Sequence, residues 1–192
     1  MNLTVPNVLS MLRMALIPWF AISLLDGGHG RALIIFALAG VTDALDGMIA
    51  RLGNQRSVLG MYLDPMADKL LLVCAYILLS IPSLNPVLAI PVWVTVLVIT
   101  RDVIIVAVAL ILHLALKVNR FPPSLLSKLN TAAQLTAIVL VLGCNVVHRF
   151  ETAALVSIYV VAGLTLASGV DYIFHANRLA AAERAESDGH AA

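Results

Sequence analysis

Apolar runs of about 20 residues alternate with short charged turns along most of this chain. A bilayer hydrocarbon core is about 30 Å thick and a helix rises 1.5 Å per residue, so each such run is long enough to cross it. Hydrophobic residues make up 61% of the 192 residues and charged residues only 12%, too apolar for a soluble domain. The sequence therefore predicts an all-α, polytopic integral membrane protein.

We expect a bundle of six transmembrane helices in one domain, residues 1–176. The connecting segments DGGHG, IPSLNP and NRFPPS carry the Gly, Pro, Asn and Asp residues that end helices. The predicted spans are 5–25, 31–51, 60–82, 87–116, 125–147 and 152–175. The remaining residues, 177–192, are small and polar, and we expect them to form a disordered cytoplasmic tail.

Basic residues concentrate on one side of the predicted bundle, namely Arg13, Arg51, Arg56, Lys117, Arg120, Lys128, Arg178 and Arg184. The positive-inside rule assigns this side to the cytoplasm. Because the helix count is even, both termini are expected there as well, in a protein of the inner (cytoplasmic) membrane. We expect membrane lipids, and no nucleic acid, as its surroundings and partners.

Four carboxylates interrupt the apolar pattern near the predicted cytoplasmic face. Asp43 and Asp46 are three residues apart and Asp64 and Asp68 four apart, so each pair projects from one face of its helix. Oxygen ligands of this charge favour Mg²⁺ or Mn²⁺, and four carboxylates suit two ions better than one. We therefore expect two divalent cations, an arrangement that serves displacement at phosphorus.

Other interpretations of these residues stay open at this point. The four carboxylates could line a cation channel or carrier, although a pathway needs ligands along its length and these cluster at one face. Gly47 and Gly60 could admit a nucleotide close to the backbone or could be helix-packing sites. Arg51 could pair with phosphate or extend its side chain to the membrane surface. Only the joint spacing of these residues separates the alternatives.

Eight positions fit the pattern Asp-x2-Asp-Gly-x2-Ala-Arg-x8-Gly-x3-Asp-x3-Asp without departure, and they are Asp43, Asp46, Gly47, Ala50, Arg51, Gly60, Asp64 and Asp68. With this motif the chain resembles the CDP-alcohol phosphotransferase family. The six-helix layout extends the resemblance over nearly the whole chain. The resemblance implies a homodimeric enzyme that transfers a phosphatidyl group from CDP-diacylglycerol to an acceptor alcohol and releases CMP.

The resemblance also implies a role for each motif residue. The four aspartates would hold the two cations that bind the donor pyrophosphate. Asp68 would in addition be the general base that removes the acceptor proton. The other four positions would accommodate the CDP moiety, namely Gly47, Ala50, Arg51 and Gly60.

Two charged stretches outside the motif bear on the acceptor. Arg101 lies within an apolar run, and its neighbour Asp102 should point about 100° away around the helix. We therefore expect Asp102 not to neutralise Arg101, which would leave the guanidinium free to bind an anion. Together with Lys128, Arg101 would hold an acceptor phosphate, and Asn130 is assigned to the same acceptor site.

The sequence leaves two candidates for this acceptor. PNVLSMLR, ITRDVII and SKLNTAAQ look like the branch of the family that contains phosphatidylglycerophosphate synthases and single-motif cardiolipin synthases. The short chain favours the first group, whose acceptor is glycerol 3-phosphate. Cardiolipin synthases, whose acceptor is phosphatidylglycerol, are favoured by the aspartate after Arg101 and by Lys128, Asn130, Thr131 and Gln134. We expect glycerol 3-phosphate, with phosphatidylglycerol as the alternative.

Overall fold

The structure is a computed structural model that describes the backbone of residues 5–53, 58–116 and 125–190 and the side chains of residues 11–43, 69–107 and 125–171. These residues form helices and turns, without a strand. The helices are α1 (Val5–Leu25), α2 (His29–Gly53), α3 (Val58–Leu79), α4 (Val92–Leu116), α5 (Leu125–Val147) and α6 (Glu151–His190). The predicted all-α class and its six helices are confirmed.

Two helix boundaries differ from the prediction by more than three residues. α4 begins at Val92 rather than at residue 87, because prolines at positions 86 and 91 interrupt the helical hydrogen-bond ladder. α6 continues to His190, beyond the predicted end at residue 175 and through most of the segment expected to be disordered. This segment contains NRLAAAERAESD, which is rich in the strong helix formers Ala, Leu, Glu and Arg and lacks proline and glycine.

The outer surface of the bundle is apolar. Each of the six helices exposes large hydrophobic side chains, for example Trp19 on α1, Ile34 on α2 and Val103 on α4. In soluble monomers, exposed hydrophobic side chains are usually scattered singly. Over the described residues, α5 and the Glu151–Asp171 part of α6 are long and apolar enough to cross a membrane.

The core lies where the helices pack side by side. α1 packs against α2 and α3, α5 against α2, α3 and α6, and α4 against α3 and α6. Fully buried alanines such as Ala39, Ala75 and Ala137 allow the helices to approach closely. Between α1 and α2 the rings of Phe20 and Phe36 lie 5.9 Å apart, centroid to centroid.

A tight turn fixes the pairing of α1 with α2. It comprises residues 26–28, and Gly27 has a φ of 73°, a left-handed conformation that glycine adopts without steric cost. Arg13 lies 13 residues before Asp26 and Asp43 lies 15 residues after Gly28, so in an antiparallel hairpin the two side chains reach the same level. The turn thereby places the first motif carboxylate beside α1.

Asn145 on α5 holds the segment between α3 and α4. Its Nδ2 donates to the carbonyls of Leu88 (2.8 Å) and Val141 (2.9 Å), and its Oδ1 accepts from the backbone N–H groups of Val87 (3.1 Å) and Leu88 (3.4 Å). The side chain is buried. One amide therefore satisfies backbone groups that have no helical partner in this proline-rich segment.

We predict that Asn145→Ala destabilises the bundle. The substitution leaves part-buried backbone groups of residues 87 and 88 without their side-chain partner, and because a fully buried unsatisfied group costs about 1–3 kcal/mol, we expect the lower end of that range for each. The melting temperature of the purified protein in detergent should fall. Thr136→Ala is the matched control, because Thr136 is exposed on the same helix and bonds only the carbonyl of Ala132. Equal melting temperatures for the two variants would contradict the role of Asn145.

Candidate functional site

The eight motif residues lie on two helices of the bundle. α2 carries positions 43 to 51 of the motif, and α3 carries positions 60 to 68. Asp43 has a described side chain; those of the other predicted metal and CDP ligands lie outside the described residues, namely Asp46, Gly47, Ala50, Arg51, Gly60, Asp64 and Asp68. Among the described side chains, no three His, Cys, Asp or Glu residues are grouped as metal ligands would be.

Asp43 is held by an arginine from α1. Nη1 of Arg13 lies 2.8 Å from Oδ1 of Asp43, and the Arg13 side chain is only 1% exposed whereas Asp43 is 47% exposed. A buried arginine requires a counter-charge, which the carboxylate supplies. Since a carboxylate can accept about four hydrogen bonds, this pairing leaves Asp43 able to bind a cation as well. The donor chemistry at this position therefore fits the predicted divalent ion.

A second charged cluster joins α3 to α4. Nζ of Lys69 lies 2.5 Å from Oδ2 of Asp102, and Nη1 of Arg101 donates to Oδ1 of the same carboxylate at 2.9 Å. The expectation that Asp102 would not neutralise Arg101 is therefore wrong. Although adjacent residues diverge around a helix, the long arginine side chain bends back far enough to reach its neighbour.

Arg101 also ties α4 to the last two helices. Its Nε donates to Oγ of Ser168 on α6 and its Nη2 to Oγ of Ser127 on α5, both at 3.0 Å. Lys128, the other predicted phosphate ligand, follows Ser127 directly and its side chain is exposed. Two cations share one carboxylate in the cluster of Lys69, Asp102 and Arg101, so its formal charge is +1. This positive charge would favour a bound anion.

Two buried amides extend this polar region along α5. Asn130 and Gln134 are four residues apart, on one face of the helix, and both are fully buried. Oδ1 of Asn130 accepts from Oγ1 of Thr165 at 3.0 Å. Within the described part of the chain, Nδ2 of Asn130 and both amide atoms of Gln134 have no hydrogen-bond partner. Buried polar groups normally have hydrogen-bond partners, so these amide atoms retain the capacity to bond a water molecule or a ligand.

A groove of about 220 Å³ lies beside this polar region, between α4 and α6. Arg101 and Thr165 line it together with apolar side chains that include Leu97, Ile104 and Leu166. The groove thus adjoins Arg101 directly and reaches Asn130 through Thr165.

Sequence reasoning missed Lys69, Ser168 and Thr165. Lys69 directly follows Asp68 inside the predicted span 60–82, where no local pattern indicates its partner. Single hydroxyl residues within apolar runs usually bond their own helix backbone. Gln134 is one of the residues that favour cardiolipin synthases in the sequence, but the sequence does not predict its complete burial. The i, i+4 spacing of Asn130 and Gln134 would have indicated a polar face.

The sequence of this chain is similar to those of known proteins over most of its length. The family model of CDP-alcohol phosphatidyltransferases matches residues 3–168. Human cardiolipin synthase (CMP-forming) is 36% identical over 191 residues, which cover 91% of this chain and 62% of the human protein. The chain thus spans about three-fifths of the length of that relative.

Two bacterial relatives are named for phosphatidylglycerophosphate synthesis or for transfer to glycerol 3-phosphate rather than for cardiolipin synthesis. The probable phosphatidylglycerophosphate synthase of Mycobacterium tuberculosis is 34% identical over 178 residues, 90% of this chain and 81% of that protein. The CDP-diacylglycerol--glycerol-3-phosphate 3-phosphatidyltransferase of Cereibacter sphaeroides is 36% identical over 154 residues, 77% of this chain and 67% of that protein. Both names expected from the sequence therefore occur among the relatives.

We predict that Asp102→Asn destabilises the protein more than an exposed change of the same kind. It removes the negative charge between two cations, and breaking a buried ion pair costs about 3–5 kcal/mol. We expect the lower end of that range because Lys69 is 38% exposed. The measurement is the melting temperature in detergent.

Asp26→Asn is the matched control, since this exposed aspartate lies 4.0 Å from Arg31. Asp102→Glu, which keeps the charge, should recover part of the loss. If Asp102→Asn melted at the same temperature as Asp26→Asn, the cluster would contribute nothing measurable to stability.

Proposed function

Since the chain belongs to the CDP-alcohol phosphatidyltransferase family, we propose that it transfers a phosphatidyl group from CDP-diacylglycerol to an anionic acceptor alcohol and releases CMP. The observation that carries this proposal is the complete eight-position motif on α2 and α3, within the region that the family model matches. The names of the relatives support the same reaction class.

We place the enzyme in the inner membrane, with all six helices spanning it and the motif at the cytoplasmic face. The apolar outer surface and the span-length stretches of α5 and α6 support membrane insertion. The concentration of basic residues on one side supports the orientation. A homodimer remains part of the proposal through the family resemblance alone.

The four motif aspartates would hold two divalent cations, Mg²⁺ or Mn²⁺, which would neutralise the donor pyrophosphate and the departing CMP. Arg13 would keep the Asp43 carboxylate in one orientation while its remaining lone pairs face the cation. The CDP moiety would lie against Gly47, Ala50, Arg51 and Gly60. A guanidinium at position 51 can bind phosphate with two parallel hydrogen bonds.

Asp68 would act as the general base of the transfer. Its carboxylate takes the proton of the acceptor hydroxyl, and the acceptor oxygen then attacks the phosphorus that carries diacylglycerol. The bond between that phosphorus and the bridging oxygen breaks, and CMP leaves with the electron pair. A phosphodiester to the acceptor forms in its place.

The acceptor would be an alcohol that carries a phosphate. The cluster of Lys69, Asp102 and Arg101 has a formal charge of +1, and the exposed Lys128 lies next to Ser127, which Arg101 contacts. Together with Asn130 these residues suit a phosphate group. Glycerol 3-phosphate, expected first from the sequence, and phosphatidylglycerol, the alternative, both carry one.

The reaction is tested by CMP release from CDP-diacylglycerol, with purified protein in lipid nanodiscs containing Mg²⁺ or Mn²⁺. Each acceptor is supplied separately and the lipid product is identified by mass spectrometry. We expect Asp68→Asn to lower kcat at least about 100-fold, because general-base catalysis contributes about 10²–10⁴-fold. A chelator should abolish turnover.

Asp26→Asn, the same chemical change in the exposed turn after α1, serves as the control and should retain wild-type kcat. A wild-type protein that released no CMP with either acceptor would overturn the proposed reaction. A fully active Asp68→Asn variant would remove the base assignment while leaving the reaction class in place.

A further inference from the structure

The groove between α4 and α6 has the volume and the apolar lining of a site for a hydrocarbon chain. Its walls are mostly hydrophobic, with Leu97, Ile104 and Leu166 among them, and Gly169 leaves space where a side chain would otherwise stand. The volume of about 220 Å³ is below the roughly 300–1,000 Å³ of pockets that hold compact ligands. A single hydrocarbon chain fits such dimensions better than a whole headgroup.

One wall of this groove carries a cation. Arg101 lines it, and a guanidinium has five N–H donors. Described contacts use three of them, to Asp102, Ser168 and Ser127. The cluster that contains Arg101 keeps a formal charge of +1, so an anionic group beside the groove would be attracted there.

The groove adjoins the predicted acceptor residues. Thr165 lines it and donates to Asn130, and Arg101 lines it directly; of the side chains that the structure describes, none that lines the groove belongs to the eight-position motif. The occupant must therefore combine an apolar chain with an anionic headgroup at the acceptor side. Glycerol 3-phosphate has no such chain.

From this charge complementarity we propose that the groove accommodates an acyl chain of an anionic phospholipid, which the site takes as acceptor. This inference rests on the proposed function and names the substrate class of its acceptor. Because bilayer lipid is as apolar as the groove, burying the chain adds little affinity. The groove orients the lipid instead, and its headgroup phosphate lies at Arg101.

The test fills the groove without touching the charged cluster. A Cβ at Gly169 meets no atom within 4 Å, so Gly169→Leu projects into open space and should fold. Gly163→Leu is the matched control, since its Cβ meets nothing within 4 Å either, it lies on the same helix, and it does not line the groove.

The first readout is binding, which needs no turnover. Native mass spectrometry counts the phosphatidylglycerol and phosphatidylcholine molecules retained by each variant in detergent. We expect the wild type and Gly163→Leu to retain phosphatidylglycerol in preference to phosphatidylcholine, and Gly169→Leu to lose that preference. Equal retention by both variants, or no preference in the wild type, would overturn the groove assignment even if the enzyme releases CMP.

The second readout is acceptor selectivity in nanodiscs. The ratio of kcat/KM for phosphatidylglycerol to kcat/KM for glycerol 3-phosphate should fall about tenfold or more in Gly169→Leu, because small volume changes in apolar pockets discriminate by about 10–200-fold. Gly163→Leu should keep the wild-type ratio. A higher KM for CDP-diacylglycerol in Gly169→Leu would assign the groove to the donor, and a wild type that accepts only glycerol 3-phosphate would also overturn the proposal, without contradicting the proposed reaction.

Discussion

The ion pairs of the Asp102 carboxylate are the interaction on which the burial of charge between α3 and α4 depends. The carboxylate lies between the ammonium group of Lys69 and the guanidinium of Arg101, and Arg101 in turn contacts serines of α5 and α6. Without it, two cations of α3 and α4 would face each other among apolar helices. Asp102 thus connects α4 directly to α3, and through Arg101 to α5 and α6. Its partner Lys69 directly follows Asp68, the last motif aspartate.

The first half of the bundle uses the same principle with different partners. Arg13 is more deeply buried than Asp43, so the carboxylate stabilises the arginine at least as much as the reverse. This changes how the motif is understood, because its first aspartate is both a predicted cation ligand and the counter-charge of α1. The pairing would also limit the orientations that Asp43 can adopt when a cation binds.

The number of helices and the all-α class could be predicted from the sequence, because the length and spacing of apolar runs determine them. The family could be predicted as well, because the spacing of the eight motif residues is specific. The pairing of Arg101 with Asp102 could not, because helical geometry describes where Cβ atoms point and not where a long side chain ends. The extension of α6 to His190 differs from the expectation because the strong helix formers Ala, Leu, Glu and Arg in this segment outweigh its small polar composition. The groove depends on how α4 and α6 pack, which no local pattern encodes.

The tight turn at Gly27 has a consequence for how such a chain enters a membrane. Arg13 and Asp43 belong to consecutive helices joined by three residues, so in the proposed membrane arrangement α1 and α2 would enter the bilayer as one hairpin that carries a neutralised ion pair. Neither charge would then have to enter the hydrocarbon without its partner, which would cost about 2.5–3.5 kcal/mol even on insertion-derived scales. Lys69 and Asp102 also lie on consecutive helices, α3 and α4, and biogenesis in successive hairpins would bring each buried charge in with its partner.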